Sequence, residues 1–170
     1  MRTLAKDLHR VIPNSLHITR GKMNVETLNE TMLSLGASKL LRISRWKGNP
    51  GKIEFYEIAD SNLKLIPPML YLKNIILSRE LGRTKSRGRN LKLGIITPQN
   101  ERYKRLAEAL SKIFNAPLIN QNLSFPVVLN IVEDKIGQPR ITFYDEKSEE
   151  VGPAIYLKEI QWDTEKLQGV

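Results

Sequence analysis

Reactive side chains are scarce in this 170-residue sequence, which has no cysteine and two histidines, His9 and His17. Without a thiol there is no disulfide, thiolate nucleophile or thiolate metal site. His9 falls within an amphipathic helical pattern and His17 in a short extended run. Neither has a second His or a Cys at metal-ligand spacing. The acidic pairs Glu133-Asp134 and Glu149-Glu150 fall in expected turns, where solvated carboxylates are ordinary. Gly82, Gly88 and Gly94 fit no phosphate-cradling loop, and no nucleophile-elbow motif occurs. No reactive groups converge. The expectation is a protein that is not an enzyme and uses no metal or cofactor.

Binding chemistry is better supplied. The net charge is +9, and it is uneven: residues 1–92 hold 18 Lys/Arg against 7 Asp/Glu, residues 93–170 hold 9 against 11. A basic surface concentrates a polyanion and releases its counterions, so nucleic acid is the expected partner. One cluster comprises Arg42, Arg45, Trp46, Lys47 and Lys52 around the turn Gly48-Asn49-Pro50-Gly51, with Asn49 a further candidate. Arg and Lys there would meet phosphates and Trp46 would stack on an unpaired base. A second is Arg79, Arg83, Lys85, Arg87, Arg89 and Lys92, opposed by Glu80 alone. Gly82, Ser86 and Gly88 disfavour a helix there, which predicts a flexible basic linker. Arg20-Gly21-Lys22 forms a third, smaller group. The plain alternative is a solvated basic surface with Trp46 packed against a helix.

An internal repeat predicts what positions these residues. Ile53, Phe55 and Tyr56 match Ile141, Phe143 and Tyr144 at an offset of 88, a register that runs back through Lys47/Lys135, Ile43/Ile131 and Leu41/Leu129. After a three-residue shift, Pro68, Tyr71, Leu72, Lys73 and Ile75 match Pro153, Tyr156, Leu157, Lys158 and Ile160. Upstream, Leu4, Ala5, Leu8 and Leu16 match Leu106, Ala107, Leu110 and Leu118 at an offset of 102. Arg45-Trp46-Lys47 then stands where the second half has Glu133-Asp134-Lys135, so the hairpin scaffold does not itself demand Arg-Trp.

Apolar spacing fills in the elements. Leu4, Leu8, Val11 and Ile12 form one helical stripe. Tyr103, Leu106, Ala107, Leu110, Ile113 and Phe114 form another, with Thr97 as its expected N-cap and Pro98 its first residue. A helix over 25–35, between Asn24 and Gly36, is expected to turn Val25, Leu28, Met32 and Leu35 inward. Strands are expected at 16–19, 40–44, 53–58, 70–76, 93–96, 127–132, 141–144 and 155–162. The fold class is α/β: two tandem similar halves with mixed β-sheets and flanking helices, at 1–78 and 93–170, joined by a basic linker at 79–92. The second half opens with a strand whose counterpart would precede Met1, so the first half is expected to lack its opening strand.

The run Ile43-Ser44-Arg45-Trp46-Lys47-Gly48-Asn49-Pro50-Gly51-Lys52-Ile53-Glu54-Phe55-Tyr56 resembles the central signature of Brix-domain proteins. Asp7-Leu8, Pro13-Asn14-Ser15 and Arg20-Gly21-Lys22 resemble the segment ahead of it, and the compact size is similar to stand-alone archaeal members. The resemblance implies two α/β halves related to anticodon-binding domains. It also implies a non-catalytic role in ribosome biogenesis: binding precursor ribosomal RNA and assisting its processing or small-subunit assembly, beside ribosomal proteins or other assembly factors. A competing reading is a protein–protein scaffold in a preribosomal particle, with RNA binding incidental. A third is an anticodon-binding-like module serving a tRNA enzyme. No apolar run is long enough to span a membrane and no signal-peptide pattern opens the chain, so a cytoplasmic location is expected, with no small-molecule substrate.

Overall fold

The structure, a computed structural model, describes residues 2–19, 21, 23–46, 49–82, 91–120 and 125–163, with the backbone alone for Trp46, Asn49 and Pro50. Its elements in chain order are α1 (Arg2–Val11), α2 (Val25–Ser34), β1 (Lys39–Trp46), β2 (Asn49–Ala59), β3 (Asn62–Ile76), β4 (Leu93–Ile96), α3 (Glu101–Phe114), β5 (Leu118–Ile119), β6 (Val127–Glu133), β7 (Pro139–Asp145) and β8 (Ala154–Gln161). The mixed α/β class expected from the sequence is what forms. The chain divides into two compact units: a larger one of Met1–His17 with Leu72–Lys158, and a smaller one of Ile18–Tyr71 with Glu159–Val170. This partition differs from that of the repeat, because α1 belongs with the elements of the second half.

In the larger unit, which takes β3 only from Leu72 on, the strands run β3-β8-β7-β6-β4-β5. β4 is parallel to both β5 and β6, and the β6–β7–β8 pairs are antiparallel. Leu4 and Leu8 of α1 and Tyr103, Leu106, Ala107 and Leu110 of α3 are buried with Ile95, Leu129, Ile141 and Phe143 of the strands. Helix α1 is also fixed by a polar contact. The almost wholly buried Asp7 accepts a hydrogen bond from the Ser78 N–H at 2.8 Å and one from Arg10 at 3.2 Å. Helix α3 starts later than expected. The Thr97 N–H is used by the Ile119 carbonyl at 2.8 Å, which prolongs the β4–β5 ladder. Asn100 is the cap instead, its side-chain oxygen accepting from the Arg102 N–H.

In the smaller unit β1, β2 and β3 pair antiparallel in that order. Helix α2 is capped by Asn24, whose side chain accepts from the Thr27 N–H at 2.7 Å, and Gly36 follows it in the left-handed conformation (φ +63). Of the four residues expected inward, Leu28 and Met32 are buried while Val25 and Leu35 are 58% and 47% exposed. Val25 is the first residue past the cap and Leu35 already leaves the helix, so only the turn from Leu28 to Met32 is buried. Residues 16–19 form no strand, and Leu16 is 66% exposed. Their counterpart Leu118–Ile119 is a strand because β4 pairs with it; among the described residues, 16–19 have no such partner.

The offset-88 repeat reappears as identical pairing. Lys39↔Glu57, Leu40↔Tyr56, Leu41↔Phe55, Arg42↔Glu54, Ile43↔Ile53 and Ser44↔Lys52 become Val127↔Asp145, Val128↔Tyr144, Leu129↔Phe143, Asn130↔Thr142, Ile131↔Ile141 and Val132↔Arg140. The third strands agree too: Leu70 and Tyr71 lie across from Ile53 and Lys52, as Ile155 and Tyr156 lie across from Ile141 and Arg140. The three-residue shift falls between Tyr56 and Leu65, at the far end of the hairpin, since Tyr56 lies across from Leu65 where Tyr144 lies across from Glu150.

Two substitutions test this packing. Asp7→Ala strands the buried Ser78 N–H and should lower unfolding stability by about 1–3 kcal/mol. Gly152→Ala places a Cβ 2.7 Å from the Phe143 Cβ, and overpacking of that kind should cost about 1–3 kcal/mol. Urea unfolding at constant m-value measures both, and an unchanged midpoint in either variant contradicts the corresponding contact.

Candidate nucleic-acid interface

Alternation along β1 and β2 puts Leu40, Arg42 and Ser44 on one face with Lys52, Glu54 and Tyr56, while Leu41, Ile43, Ile53 and Phe55 occupy the other. The polar face is organised by Glu54, whose side chain is 3% exposed. Its Oε2 accepts from Arg42 Nε and from Ser44 Oγ, both at 2.7 Å, and its Oε1 accepts from Lys52 Nζ at 2.8 Å. Burial by itself would raise the Glu54 carboxyl; hydrogen bonds from Arg42, Lys52 and Ser44, with the charge of Arg42, outweigh it and hold the group below its ordinary range. Burial by itself would likewise lower Arg42, but its bond to Glu54 and the charge of Glu54 hold it above its ordinary value. The Arg42 guanidinium also lies 5.3 Å from the centre of the Tyr56 ring, a cation–π distance.

This changes what the candidate cations can do. Arg42 and Lys52 share one carboxylate, so the group of three carries a single net positive charge. Arg45 is different: it is exposed, just past a register shift between Ser44 and Arg45 that pairs it with Pro50. Trp46 then pairs with Asn49 through the backbone, so the turn is shorter than the sequence suggested and Asn49 and Pro50 belong to β2. Lys92 is exposed immediately before β4. Arg20, Lys22, Lys47, Arg83, Lys85, Arg87 and Arg89 lie outside the described residues. Ahead of them, Arg79–Gly82 is a tight turn in which Glu80 accepts from the Leu77 N–H at 2.6 Å.

The second hairpin departs from the first at this tip. Glu133 accepts from the Tyr103 hydroxyl at 2.8 Å and from the Asn100 amide at 3.1 Å, tying α3 to β6. Asp134 accepts from the N–H groups of Ile136 and Gln138, each at 2.9 Å, and so shapes the loop into β7. Glu150 is paired with Arg140, whose guanidinium lies 5.3 Å from the Tyr156 ring centre. Glu133 and Glu150, expected as solvated, thus have structural partners. Position by position the two scaffolds agree through Ser44 and Val132, but Trp46 ends a strand where Asp134 makes a turn.

Glu54, Ser44 and Tyr56 are the residues the sequence reading left out of the site. Parity was the available signal, since even-numbered positions 42, 44, 52, 54 and 56 must share a face once the strands pair in register. Among the described residues no three metal-ligating side chains gather, and no helix is long and apolar enough to cross a membrane.

No family model matches the chain. A curated relative from Pyrococcus horikoshii, named a probable Brix domain-containing ribosomal biogenesis protein, is 41% identical over 81 residues, 48% of this chain and 36% of that protein. The matched stretch is therefore only about a third of that relative's length. A relative of the same name from Methanopyrus kandleri is 26% identical over 98% of this chain and 91% of its own. The crystal structure of a probable ribosomal biogenesis protein from Aeropyrum pernix superposes with a TM-score of 0.78 at 26% identity, covering 92% of this chain and 87% of that one. The chain resembles the archaeal Brix-domain proteins in sequence and in fold. The crystal structure of Mil, an archaeal Imp4-like protein, has the same Brix-type fold at 13% identity, with a TM-score of 0.62 over 95% of this chain and 91% of that one.

The Glu54 cluster makes a signed prediction. Because its folded pKa is depressed, Glu54 contributes stability that is fully present above its unfolded value of about 4.3 and is lost as pH falls through the lower folded value. Glu54→Gln should cost about 1–3 kcal/mol near neutrality and should remove part of the acid-side loss. Denaturant unfolding of both proteins between neutral and acidic pH checks this; parallel stability–pH curves would contradict it.

Proposed function

We propose that this chain is a non-catalytic ribosome biogenesis factor that binds precursor ribosomal RNA and assists its processing or small-subunit assembly. The carrying observation is the near-full-length likeness, in sequence and in structure, to proteins named for ribosomal biogenesis. The uneven charge supports RNA as the ligand, with the basic excess in residues 1–92. Arg45, with Lys92 and the cations at 83–89, then supplies phosphate contacts, and Trp46 stacks on an unpaired base. Arg42 and Lys52 serve chiefly to hold the hairpin, since Glu54 already engages both.

Crosslinking in cells followed by sequencing of the bound RNA tests the reading: precursor ribosomal RNA should dominate, and a library dominated by transfer RNA would overturn it. Replacing Arg83, Lys85, Arg87 and Arg89 with Ala should weaken binding and flatten the log–log salt slope by as much as about 3. Arg45→Ala should cost more affinity than Lys52→Ala. Glu54→Gln should bind RNA more tightly than the parent although it is less stable, because it releases two cations. Filter-binding titrations at several salt concentrations read all three. Partners that survive RNase treatment while RNA affinity stays unchanged in every variant would favour the scaffold reading instead.

A further inference from the structure

Strand β1 ends the strand order, with β2 on one side and, among the described residues, no strand on the other. One hydrogen bond tells which of its backbone groups face outward. The Ile58 N–H donates to the Ser38 carbonyl at 3.0 Å, and the register from Lys39↔Glu57 to Ser44↔Lys52 continues that pairing. Bonded and non-bonded pairs alternate in an antiparallel ladder, so residues 40, 42 and 44 turn their N–H and C=O groups toward β2. Leu41 and Ile43 turn theirs away from it. Their side chains are half-buried, whereas Phe55 and Ile53 directly across from them are 1% and 2% exposed. The edge thus combines alternating donors and acceptors with an apolar strip on one face and Arg42 on the other.

We propose that the β1 edge takes up an extended segment of a partner protein as an additional strand. That segment would carry apolar residues opposite Leu41 and Ile43, and acidic residues on the other face, where the Arg42–Lys52–Glu54 group keeps a net positive charge and Arg45 is exposed. A polypeptide fits because its backbone offers donors and acceptors in strict alternation; the phosphate oxygens of a nucleic acid are acceptors and match the Leu41 and Ile43 N–H groups but not their carbonyls. A second copy of this chain fits poorly in the register that would set Leu41 against its own Ile43. Antiparallel self-pairing centred on Arg42 sets Arg42 against Arg42 and Lys39 against Arg45, and like charges directly opposite destabilise. Cationic edges are an ordinary guard against indiscriminate pairing, and the same charges admit an acidic strand. The proposal does not depend on the RNA reading.

The test uses the full chain and an end-capped eight-residue peptide of alternating glutamate and valine, with amide hydrogen exchange read by NMR. Saturable slowing of exchange at the Leu41 and Ile43 amides is expected. A peptide N-methylated at alternate residues, on the edge that would face β1, should bind at least about tenfold more weakly. One with lysine in place of glutamate should also bind more weakly. No slowing at Leu41 and Ile43 up to millimolar peptide would overturn the proposal. So would equal slowing by an RNA oligonucleotide alone, or by raising the protein concentration without peptide, since these assign the edge to another occupant. Loss of RNA binding in the variant lacking the cations at 83–89 leaves the peptide result unaffected, so the two readings fail separately.

Discussion

A carboxylate withdrawn almost completely from water has to be met by donors on more than one side, and Glu54 is met by three. Those donors come from two strands and have to arrive on one face. A one-residue slip between β1 and β2 would send Arg42 and Ser44 to the apolar side and leave a buried charge unmatched. The same slip would move Leu41 and Ile43 out of the layer that Phe55 and Ile53 build. Polar and apolar demands therefore select a single register, and with it the position at which the hairpin breaks step and presents Arg45.

The second hairpin shows which part of this arrangement is scaffold. Its register repeats the first pair by pair, yet Asn130 and Thr142 stand where Arg42 and Glu54 stand, and Thr142 is wholly buried. The backbone plan thus persists with a neutral pair at its centre. A buried carboxylate at this position is peculiar to the first half, as is α2, which has no counterpart among the described residues of the second. The acidic residues at the second tip have been absorbed into structure, Glu133 by α3 and Asp134 by its own turn. The contrast in charge between the halves is in this sense a contrast in employment.

Much of the fold was legible because periodicity reports local burial. The stripes of α1 and α3, the short β4 strand and the two hairpins follow from spacing alone, and self-comparison of the sequence anticipated their pairing. The misreadings arose where a distant segment claimed a group. Thr97 lies too early to cap α3, because the β4–β5 ladder runs on through its amide to Ile119 and the helix starts only at Glu101, behind Asn100; that ladder is invisible in the local sequence. Residues 16–19 have strand-like composition, but a strand exists only through a neighbour. At the site, the exposed or paired condition of a cation was not legible, since Arg42, Arg45 and Lys52 differ in their distance from Glu54, which is set only once β1 and β2 pair.

The compact unit that joins Met1–His17 to Leu72–Lys158 has a bearing on how the chain is made. Helix α1, with Leu4 and Leu8 on its apolar face, is translated well before the strands and the helix that are buried in the same unit. Throughout that interval its apolar stripe and the Asp7 carboxylate lack their final surroundings, and the contacts that close the unit span nearly the whole sequence. Such long-range closure slows folding relative to neighbour-by-neighbour assembly. The two halves visible in the repeat are thus units of strand pairing, while the larger compact unit cannot close until residues 72–158 have been made.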